Sequence, residues 1–430
     1  MGASIKHEQT WLFKAVAAAL IGGAPVWMVL LIGDLTDRRG GWPIFLRSNS
    51  LVVPFLEFVI IMVTMAVGFS PFQAIGQLPR LTKIAVVLWT AVSVVISFQQ
   101  GNDYLGAIIG FLKLFLAGLF LLALVELRRA SHDKLFATIW FSVGCAVPAY
   151  ILLWSVQIAV TGTAGKEWVI QIPGVNNVRH VGHFAFAGFF AGVACLITFR
   201  DHASAFWRWC IPVFFASSAL GLALWTGSRG PTLAMMAAIA VVLLLGTGFR
   251  RQLSLFFASS ALIATVIVAY LPIPHPVYGI SGATGVADVE AGPSHDGSSG
   301  RTKLWTESIE KIKQKPVFGW GVGQFSEFGP TDTLGMLHPH NFPLQLLFQG
   351  GVISVLLSIL IVIPALRRWS WPDVQDIGLS GTGSVAGFIV YSMYDGALYF
   401  SYPIMIFLLA IATSVRPCSN PAPIGKIYPI

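Results

Sequence analysis

Uninterrupted apolar runs of about 20 residues follow one another along most of the chain, and they limit its possible folds more than any other feature. A helix of this length crosses the apolar core of a bilayer, whereas a transmembrane barrel would show alternating stretches of about ten residues. The runs lie at 12–32, 50–69, 83–98, 104–125, 135–160, 181–199, 209–225, 231–247, 253–271, 342–365, 375–394 and 397–415. We therefore predict an all-α, polytopic integral membrane protein with about 12 transmembrane helices.

The amino-acid composition agrees with a membrane protein. Only 11% of the residues are charged and 55% are hydrophobic, whereas soluble domains carry about 25% charged residues. Ordinary water-soluble enzymes are thereby excluded. The net charge of +8 does not indicate nucleic-acid binding, because in a membrane protein cationic residues hold loops at the cytoplasmic face. The four cysteines show no CxxC spacing, so neither a disulfide framework nor a thiolate metal site is predicted.

Lysine and arginine are distributed unevenly between the two sets of loops. The set that includes both chain ends carries fifteen of them, whereas the opposite short loops carry six. Loops rich in lysine and arginine stay in the cytoplasm. Both termini are therefore predicted to be cytoplasmic, and the connection that follows the ninth span is predicted to be external.

The predicted spans divide the chain into helices 1–9 (residues 1–271), a large external loop (272–341), and helices 10–12 with a cytoplasmic tail (342–430). Within the loop, Tyr278–Gly300 is rich in glycine and serine and is expected to be mobile. Residues Arg301–Lys315 follow as an amphipathic helix, which Pro316 ends. Its apolar face is predicted to consist of Leu304, Trp305, Ser308, Ile309 and Ile312. Because the loop has few apolar residues, we expect it to pack on the membrane domain.

Several external cations are candidates for binding an anionic substrate. Arg229 lies with Ser228 in a tight glycine-containing turn, where the N-terminus of the next helix favours an anion. Arg301 opens the loop helix, with Lys303 two residues on, and a cation there opposes the helix dipole unless an anion binds. Arg179, just before the sixth span, could line the same cavity. Alternatively, these cations reach lipid headgroups or lie on a solvated surface.

Polar residues in two further external turns are candidates for acid–base chemistry or sugar binding. His338 and His340 flank a proline before the tenth span, and a histidine can take a proton from a sugar hydroxyl near neutral pH. Asn341 could cap the next helix or orient an imidazole. Surface histidines and a metal site are the alternatives, but no further ligand has a known spacing, so no metal is predicted. Tyr394 and Asp395, between the last two spans, could contact a sugar or be ordinary loop residues.

These residues together resemble the O-antigen ligase and polymerase superfamily. The resemblance rests on the turn Ser228–Gly230, the loop helix from Arg301 with its glycine-rich end at Gly319–Gly323, and His338–Asn341 leading into an apolar helix. It covers about residues 226–365, and the N-terminal half is similar only in hydropathy. Ligases show His, then Asn, Ser or Gln, nine residues, Gly, two residues, and Gly, Thr or Tyr. Here Ser354 stands at the last place, so both ligase and polymerase stay open.

The resemblance implies a glycosyltransferase of the bacterial inner membrane with an active site facing the periplasm. It would transfer a glycan from undecaprenyl diphosphate to the lipid A-core oligosaccharide, without a metal or other cofactor. Its partners would be these two substrates and membrane lipids, not nucleic acid. In polymerases the acceptor is another lipid-linked repeat. A flippase for lipid-linked glycans, a different class, predicts charges spread along many spans, whereas here they collect at the external rim.

Roles for individual residues follow from the resemblance and from the chemistry of the donor. Arg229 and Arg301 would hold the diphosphate, because guanidinium groups fork onto phosphate oxygens and stay protonated. His340 would be the general base that deprotonates the acceptor, with His338 in reserve, and an in-line attack would invert the anomeric configuration. Further substrate-binding residues would be Arg179, Lys303, His338, Asn341 and Ser228.

Overall fold

A computed structural model describes residues 15–32, 52–66, 68–100, 103–130, 134–161, 175, 178–271, 278–284, 301–330, 338–368 and 377–415. The helices are α1 (Ala24–Ile32), α2 (Val52–Ala66), α3 (Pro71–Gln77), α4 (Arg80–Gln100), α5 (Tyr104–Ala130), α6 (Lys134–Thr161), α7 (Val178–Thr198), α8 (Ile211–Trp225), α9 (Arg229–Leu245), α10 (Arg250–Tyr270), α11 (Gly279–Thr284), α12 (Arg301–Gln314), α13 (Phe325–Phe328), α14 (Phe342–Arg368), α15 (Gly378–Tyr394) and α16 (Ser401–Ser414). Short π- or 3-10-helical turns precede α1, α8, α10 and α16, at Ala18–Gly22, Phe206–Cys210, Thr247–Phe249 and Ala397–Tyr399.

Each of the twelve predicted apolar runs contains one of these helices, and the protein is an all-α, multi-pass membrane protein. Within the described residues, seven helices are long and apolar enough to cross a membrane. An eighth crossing results if α2 and α3, which are bent by 91°, count as one. Helices α9, α15 and α16 have 17, 17 and 14 residues, fewer than the roughly 20 of a full crossing. The figure of twelve crossings therefore stays a prediction.

Helix α7 lies at the centre of the bundle. In the most apolar stretch of α7, 94% of the residues are buried. In α4, α5, α10 and α14 the corresponding share is 22% to 33%. A helix that is apolar on every side is a core helix. Glycines allow its neighbours to approach closely, since a Cβ at Gly192 would lie 2.9 Å from the carbonyl oxygen of Pro212 in α8. Near its start, a Cβ at Gly182 would lie 2.6 Å from the ring of Pro231, so α7 also packs against the first turn of α9.

The predicted amphipathic loop helix is confirmed as α12. Leu304 and Ser308 are buried, and Leu304 packs in one cluster with Phe325 and Phe348 of α14. Ile309, which the helical spacing places on the apolar face, is 40% exposed and is not covered by this packing. Ile312 is partly buried and packs against the same cluster. In the segment expected to be mobile, 279–284 form the short helix α11, and 285–300 lie outside the described residues.

Helix α14 is interrupted at two adjacent glycines. Gly350 has φ −142° and ψ 16°, and Gly351 has φ 58° and ψ −159°. At the break, backbone N–H and C=O groups lose their helical hydrogen bonds, and lipid cannot replace these bonds. The segment Pro316–Gly321, which we call the docking segment, supplies their partners. Four backbone hydrogen bonds join it to α14: Trp320 N to Phe348 O (2.7 Å), Gly321 N to Gln349 O (2.9 Å), Val352 N to Pro316 O (2.9 Å) and Ile353 N to Val317 O (3.3 Å).

The loop is also bound to the ends of α4 and α5. Val322 N donates to the Ser97 hydroxyl at 2.8 Å. The Gln324 side chain, which is fully buried, donates to Asp103 O at 2.9 Å and accepts from Asp103 N at 3.4 Å. The expectation that the loop packs on the membrane domain is therefore confirmed for residues 301–330.

Candidate active site

Asp395, in the turn between α15 and α16, joins two residues that the sequence analysis selected separately. Its side chain is 7% exposed, and its Oδ1 lies 3.1 Å from His340 Nδ1. Its Oδ2 lies 3.7 Å from Arg301 Nη2 at the start of α12. The backbone N–H of Gly396 donates to Oδ1 at 2.8 Å. One buried carboxylate is thus shared between a guanidinium group and an imidazole.

The charge state of Asp395 follows from these contacts. Burial by itself would raise the pKa of Asp395, because desolvation disfavours the charged form. The hydrogen bond with His340 and the positive charge of Arg301 act against burial, and together they hold the pKa below its ordinary value. The carboxylate is therefore ionised at neutral pH and can only accept hydrogen bonds. It follows that Nδ1 of His340 carries a proton, which leaves Nε2 as the basic nitrogen.

The two histidines of this turn occupy different environments. His340 is 21% exposed, whereas His338 is 4% exposed and stacks on Tyr399 with ring centroids 4.1 Å apart. Burial, reinforced by the neighbouring His340, lowers the pKa of His338 well below its ordinary value. Its Nδ1 accepts a hydrogen bond from His340 N at 3.2 Å. His340 is thus the histidine that a substrate can reach, and His338 supports the turn.

The backbone of this turn is held in an uncommon conformation. His340 has φ 53°, and it is the one residue with positive φ among the non-glycine residues that the structure describes. Such a conformation costs of order 1–3 kcal/mol and persists when its surroundings fix it. The indole of Trp305 donates to Pro339 O at 2.8 Å and ties the turn to α12. Asn341 caps α14 by accepting from Leu344 N at 3.0 Å, and its amide donates to Met393 O of α15 at 2.9 Å.

Arg229 begins α9, in the turn where the sequence analysis placed it. Gly227 makes the turn possible, because its φ of 65° is one that L side chains rarely adopt. The guanidinium Nε donates to Gly282 O of α11 at 3.1 Å. A Cβ at the next residue, Gly230, would lie 3.6 Å from Cβ of Asp395. The turn that carries Arg229 therefore lies beside Asp395, the residue that contacts both Arg301 and His340.

Ser228 precedes Arg229 but does not cap α9 with its side chain. Its hydroxyl is buried and lies 2.9 Å from the hydroxyl of Thr226. Its carbonyl oxygen accepts from Thr232 Oγ1 at 2.8 Å. These bonds fix the turn itself, so the predicted contact between Ser228 and a substrate stays a prediction.

Lys303 and Arg179 are the remaining predicted site residues. Lys303 is 61% exposed, and its Nζ lies 3.7 Å from Glu307 Oε1 one turn along α12. Arg179 lies in the first turn of α7, and its side chain is outside the described parts of the chain. Among described residues, no group of three or more His, Cys, Asp and Glu side chains could hold a metal ion.

Sequence reasoning gave Asp395 only a possible contact with a sugar and missed its place between His340 and Arg301. One signal was present, because Asp395 is the carboxylate in the turn between the last two predicted spans, at the same external end as the other candidates. Gly396 beside it was a second signal. A Cβ there would lie 1.9 Å from Cε1 of His338, so only glycine allows this packing.

Fold and site together define a multi-pass membrane protein with paired arginines, a reachable histidine and a buried aspartate at one end of its bundle. Residues 212–359 match the family model described as O-Antigen ligase. A curated O-antigen ligase from Pseudomonas aeruginosa (strain PAO1) is 26% identical over 163 residues, which cover 38% of this chain and 35% of that protein. The chain thus spans about a third of the relative's length in this match. The resemblance to the O-antigen ligase and polymerase superfamily is confirmed, and the matched segment contains Arg229, Arg301 and His340.

Proposed function

We propose that the protein is an O-antigen ligase, which transfers a glycan from undecaprenyl diphosphate to the lipid A-core oligosaccharide at the periplasmic face of the inner membrane. The observation that carries this proposal is the buried Asp395, which brings Arg301 and His340 together beside the turn of Arg229. A phosphate-binding cation and a base are the two groups that the reaction requires. The named family and relative support the glycan-transferring class.

The arginines act on the leaving group. As the bond between the sugar C1 and the phosphate oxygen breaks, negative charge grows on the departing lipid diphosphate. Arg229 and Arg301 stabilise this charge, since guanidinium groups remain protonated and form paired hydrogen bonds with phosphate oxygens. The N-terminus of α9 beside Arg229 adds a favourable dipole. Preorganised donors of this kind contribute about 2.7–4 kcal/mol each to lowering the barrier.

The histidine acts on the acceptor. His340 Nδ1 is engaged by Asp395, so Nε2 takes the proton from the acceptor hydroxyl while its oxygen attacks C1 from the face opposite the diphosphate. The product has the inverted anomeric configuration. The electron pair of the broken bond leaves with the lipid diphosphate. Because the donor is already activated, the step draws on no further energy source.

The location of the charged groups favours an enzyme over a flippase. Arg229, Arg301, His340 and Asp395 lie in turns or at helix starts at one end of the bundle. The opposite end contains other basic residues, such as the buried Arg128, whose Nε donates to Val415 O at the end of α16. This separation agrees with a cytoplasmic basic end and a periplasmic site. A transport path would instead need charged groups spread along many spans, whereas Glu57 of α2 is the buried acidic residue within the described spans.

Polymerisation, in which the acceptor is another lipid-linked repeat, is a second candidate because of Ser354. This residue occupies a position where ligases have Gly, Thr or Tyr, and it is 4% exposed. It lies directly beside Gly350, where a Cβ would come 2.2 Å from its hydroxyl. The residue that departs from the ligase pattern therefore lies at the break in α14 and not in the turn that carries His340.

A reconstituted assay tests the function and separates these candidates. The purified protein in proteoliposomes receives a labelled lipid-linked glycan with lipid A-core, with a second lipid-linked glycan, or with neither. A ligase forms labelled lipopolysaccharide only with lipid A-core, whereas a polymerase forms longer lipid-linked chains. If no new glycoside forms in either mixture and labelled lipid crosses the bilayer, the protein is a flippase and the proposal is wrong.

A further inference from the structure

Arg301, a proposed donor-binding residue, and His340, the proposed base, share the carboxylate of Asp395. The guanidinium group of Arg301 lies against Asp395 Oδ2, while His340 takes Oδ1 of the same carboxylate. In the proposed reaction the same guanidinium group also binds the donor, so the diphosphate competes with Asp395 for its N–H donors. Binding of the donor and the environment of the base therefore involve one shared buried group.

We propose that Asp395 couples occupation of the diphosphate site to the proton affinity of His340, so that the base becomes strong only when the donor is bound. Asp395 acts here as a positioning residue, through His340 and Arg301. The proposal rests on the proposed function and adds a regulatory step to it. It implies an ordered reaction in which the lipid-linked donor binds before the acceptor is deprotonated.

Charge balance around the buried carboxylate of Asp395 provides the physical basis for this coupling. Without donor, Arg301 neutralises Asp395, and its positive charge also disfavours a second cation at His340. With donor, the negative charge of the diphosphate draws Arg301 from Asp395, and Asp395 then depends more on the imidazole for charge balance. A buried carboxylate without a cation is costly. A proton accepted by His340 from the acceptor hydroxyl restores the balance, so the proton transfer becomes favourable at the step that needs it.

Other groups that face His340 and Asp395 do not supply a competing negative charge. They are, element by element, His180 and His183 of α7, His338 of the same turn, Tyr391 of α15 and Tyr399 of the turn Ala397–Tyr399, with the turn of Arg229 beside Asp395. His338 is neutral, since burial lowers its pKa. The carboxylate of Asp103 acts on Tyr399 but is not among the charges that act on His183, His338 or Asp395. Asp395 is thus the carboxylate that sets the balance between the arginine and the imidazole.

The test measures protonation of His340 directly, without requiring glycan transfer. The full-length protein in nanodiscs is treated with diethyl pyrocarbonate, which modifies neutral imidazole, and modification of His340 is followed by peptide mass spectrometry from pH 5 to pH 9. The probe is farnesyl diphosphate, and farnesol is its uncharged counterpart. We expect the diphosphate to move the midpoint of modification upward by about one pH unit, the lower end of the shift expected from an opposite charge. Farnesol should leave it unchanged.

Variants separate coupling from a merely structural role. Arg301→Ala should raise the midpoint without any diphosphate and should show no further rise with it. Asp395→Asn should lower the midpoint and remove most of the response. Lys313→Ala is the matched control on α12, because Lys313 is 64% exposed and pairs with Glu310 away from the site. It should behave as the native protein.

The outcomes distinguish the coupling from the function on which it rests. An unchanged midpoint with farnesyl diphosphate, or an unchanged midpoint in Arg301→Ala, overturns the coupling even if glycan transfer is normal. Should Asp395→Asn fail to fold, Arg301→Ala alone decides, since its side chain lies in the loop helix. Absence of glycan transfer by the native protein would reject the proposed function whatever the midpoints show, whereas transfer that survives in both His340→Ala and Arg301→Ala would reject the catalytic roles of these two residues.

Discussion

Replacing Gly351 with alanine should release the docking segment from α14. The backbone conformation at Gly351, φ 58° and ψ −159°, is essentially restricted to glycine, and another residue there costs about 1–3 kcal/mol. The added methyl group would lie 2.3 Å from the carbonyl of Val317 and 2.6 Å from Pro316 O. The hydrogen bonds from Val352 N and Ile353 N would then be lost, at about 0.5–1.5 kcal/mol each.

These contributions sum to roughly 2–6 kcal/mol against the docked state. Even the lower figure reduces the ratio of docked to undocked protein about 30-fold, since 1.4 kcal/mol is a factor of ten. Arg301 and Trp305 belong to the same loop, so the separation between Arg301 and Asp395 would no longer be fixed. Glycan transfer should fall in parallel, while insertion into the membrane persists because the apolar spans are unchanged.

Hydrogen exchange with mass spectrometry checks this reasoning at the amides concerned. The amides of Trp320 and Gly321, which donate to α14 in the native protein, should exchange faster in Gly351→Ala. Gly118→Ala is the control, because a Cβ at that exposed position of α5 would meet nothing within 4 Å. If the docking segment in Gly351→Ala keeps its native protection, the broken helix is not what holds the loop.

Further predictions concern the candidate site. His340→Gln should reduce the rate of transfer by about 10²–10⁴, the usual contribution of a general base. His338→Gln should mainly lower the thermal stability. If His338→Gln instead loses transfer to the same extent with unchanged stability, His338 is the base. Arg229→Lys and Arg301→Lys should each lower the turnover number by about 10²–10³, and a retained turnover in steady-state assays would remove the paired-cation mechanism. Asp395 has a lowered pKa in the folded protein, so it contributes stability above the unfolded value of about 3.9 that is lost as the pH falls through the folded value. Melting temperatures of Asp395→Asn should therefore be lower at pH 7 but decline less below pH 4, and a parallel decline in both proteins would contradict the assignment.

Helix α14 illustrates where sequence reasoning stopped. Its apolar run predicts a continuous span at 342–365, and a helix does occupy it. The break at Gly350 and Gly351 depends on partners in the docking segment some 30 residues earlier. Hydrophobic periodicity reports which faces are buried and contains no record of such pairing. Two adjacent glycines in a span were a signal for a break but did not identify what fills it.

The site shows a similar division. Motif spacing selected Arg229, Arg301 and His340, since each residue type and its local turn are visible in the chain itself. Asp395 was assigned only a possible sugar contact, because it lies 55 residues from His340 and no local pattern connects them. The helical period places Ile309 on the apolar face but did not show that this residue stays exposed, because the width of the covering surface depends on distant segments.

The sequence by itself determined that the chain is helical and embedded in a membrane, and where the loop helix and its motifs lie. These properties depend on apolar content and turn residues within stretches of about 20 residues. Only the tertiary structure decided which charges meet, how the loop is bound to a broken helix, and which of two histidines is reachable. Such properties arise from contacts between distant segments, where one buried carboxylate can change the protonation of its neighbours because little water remains to screen it.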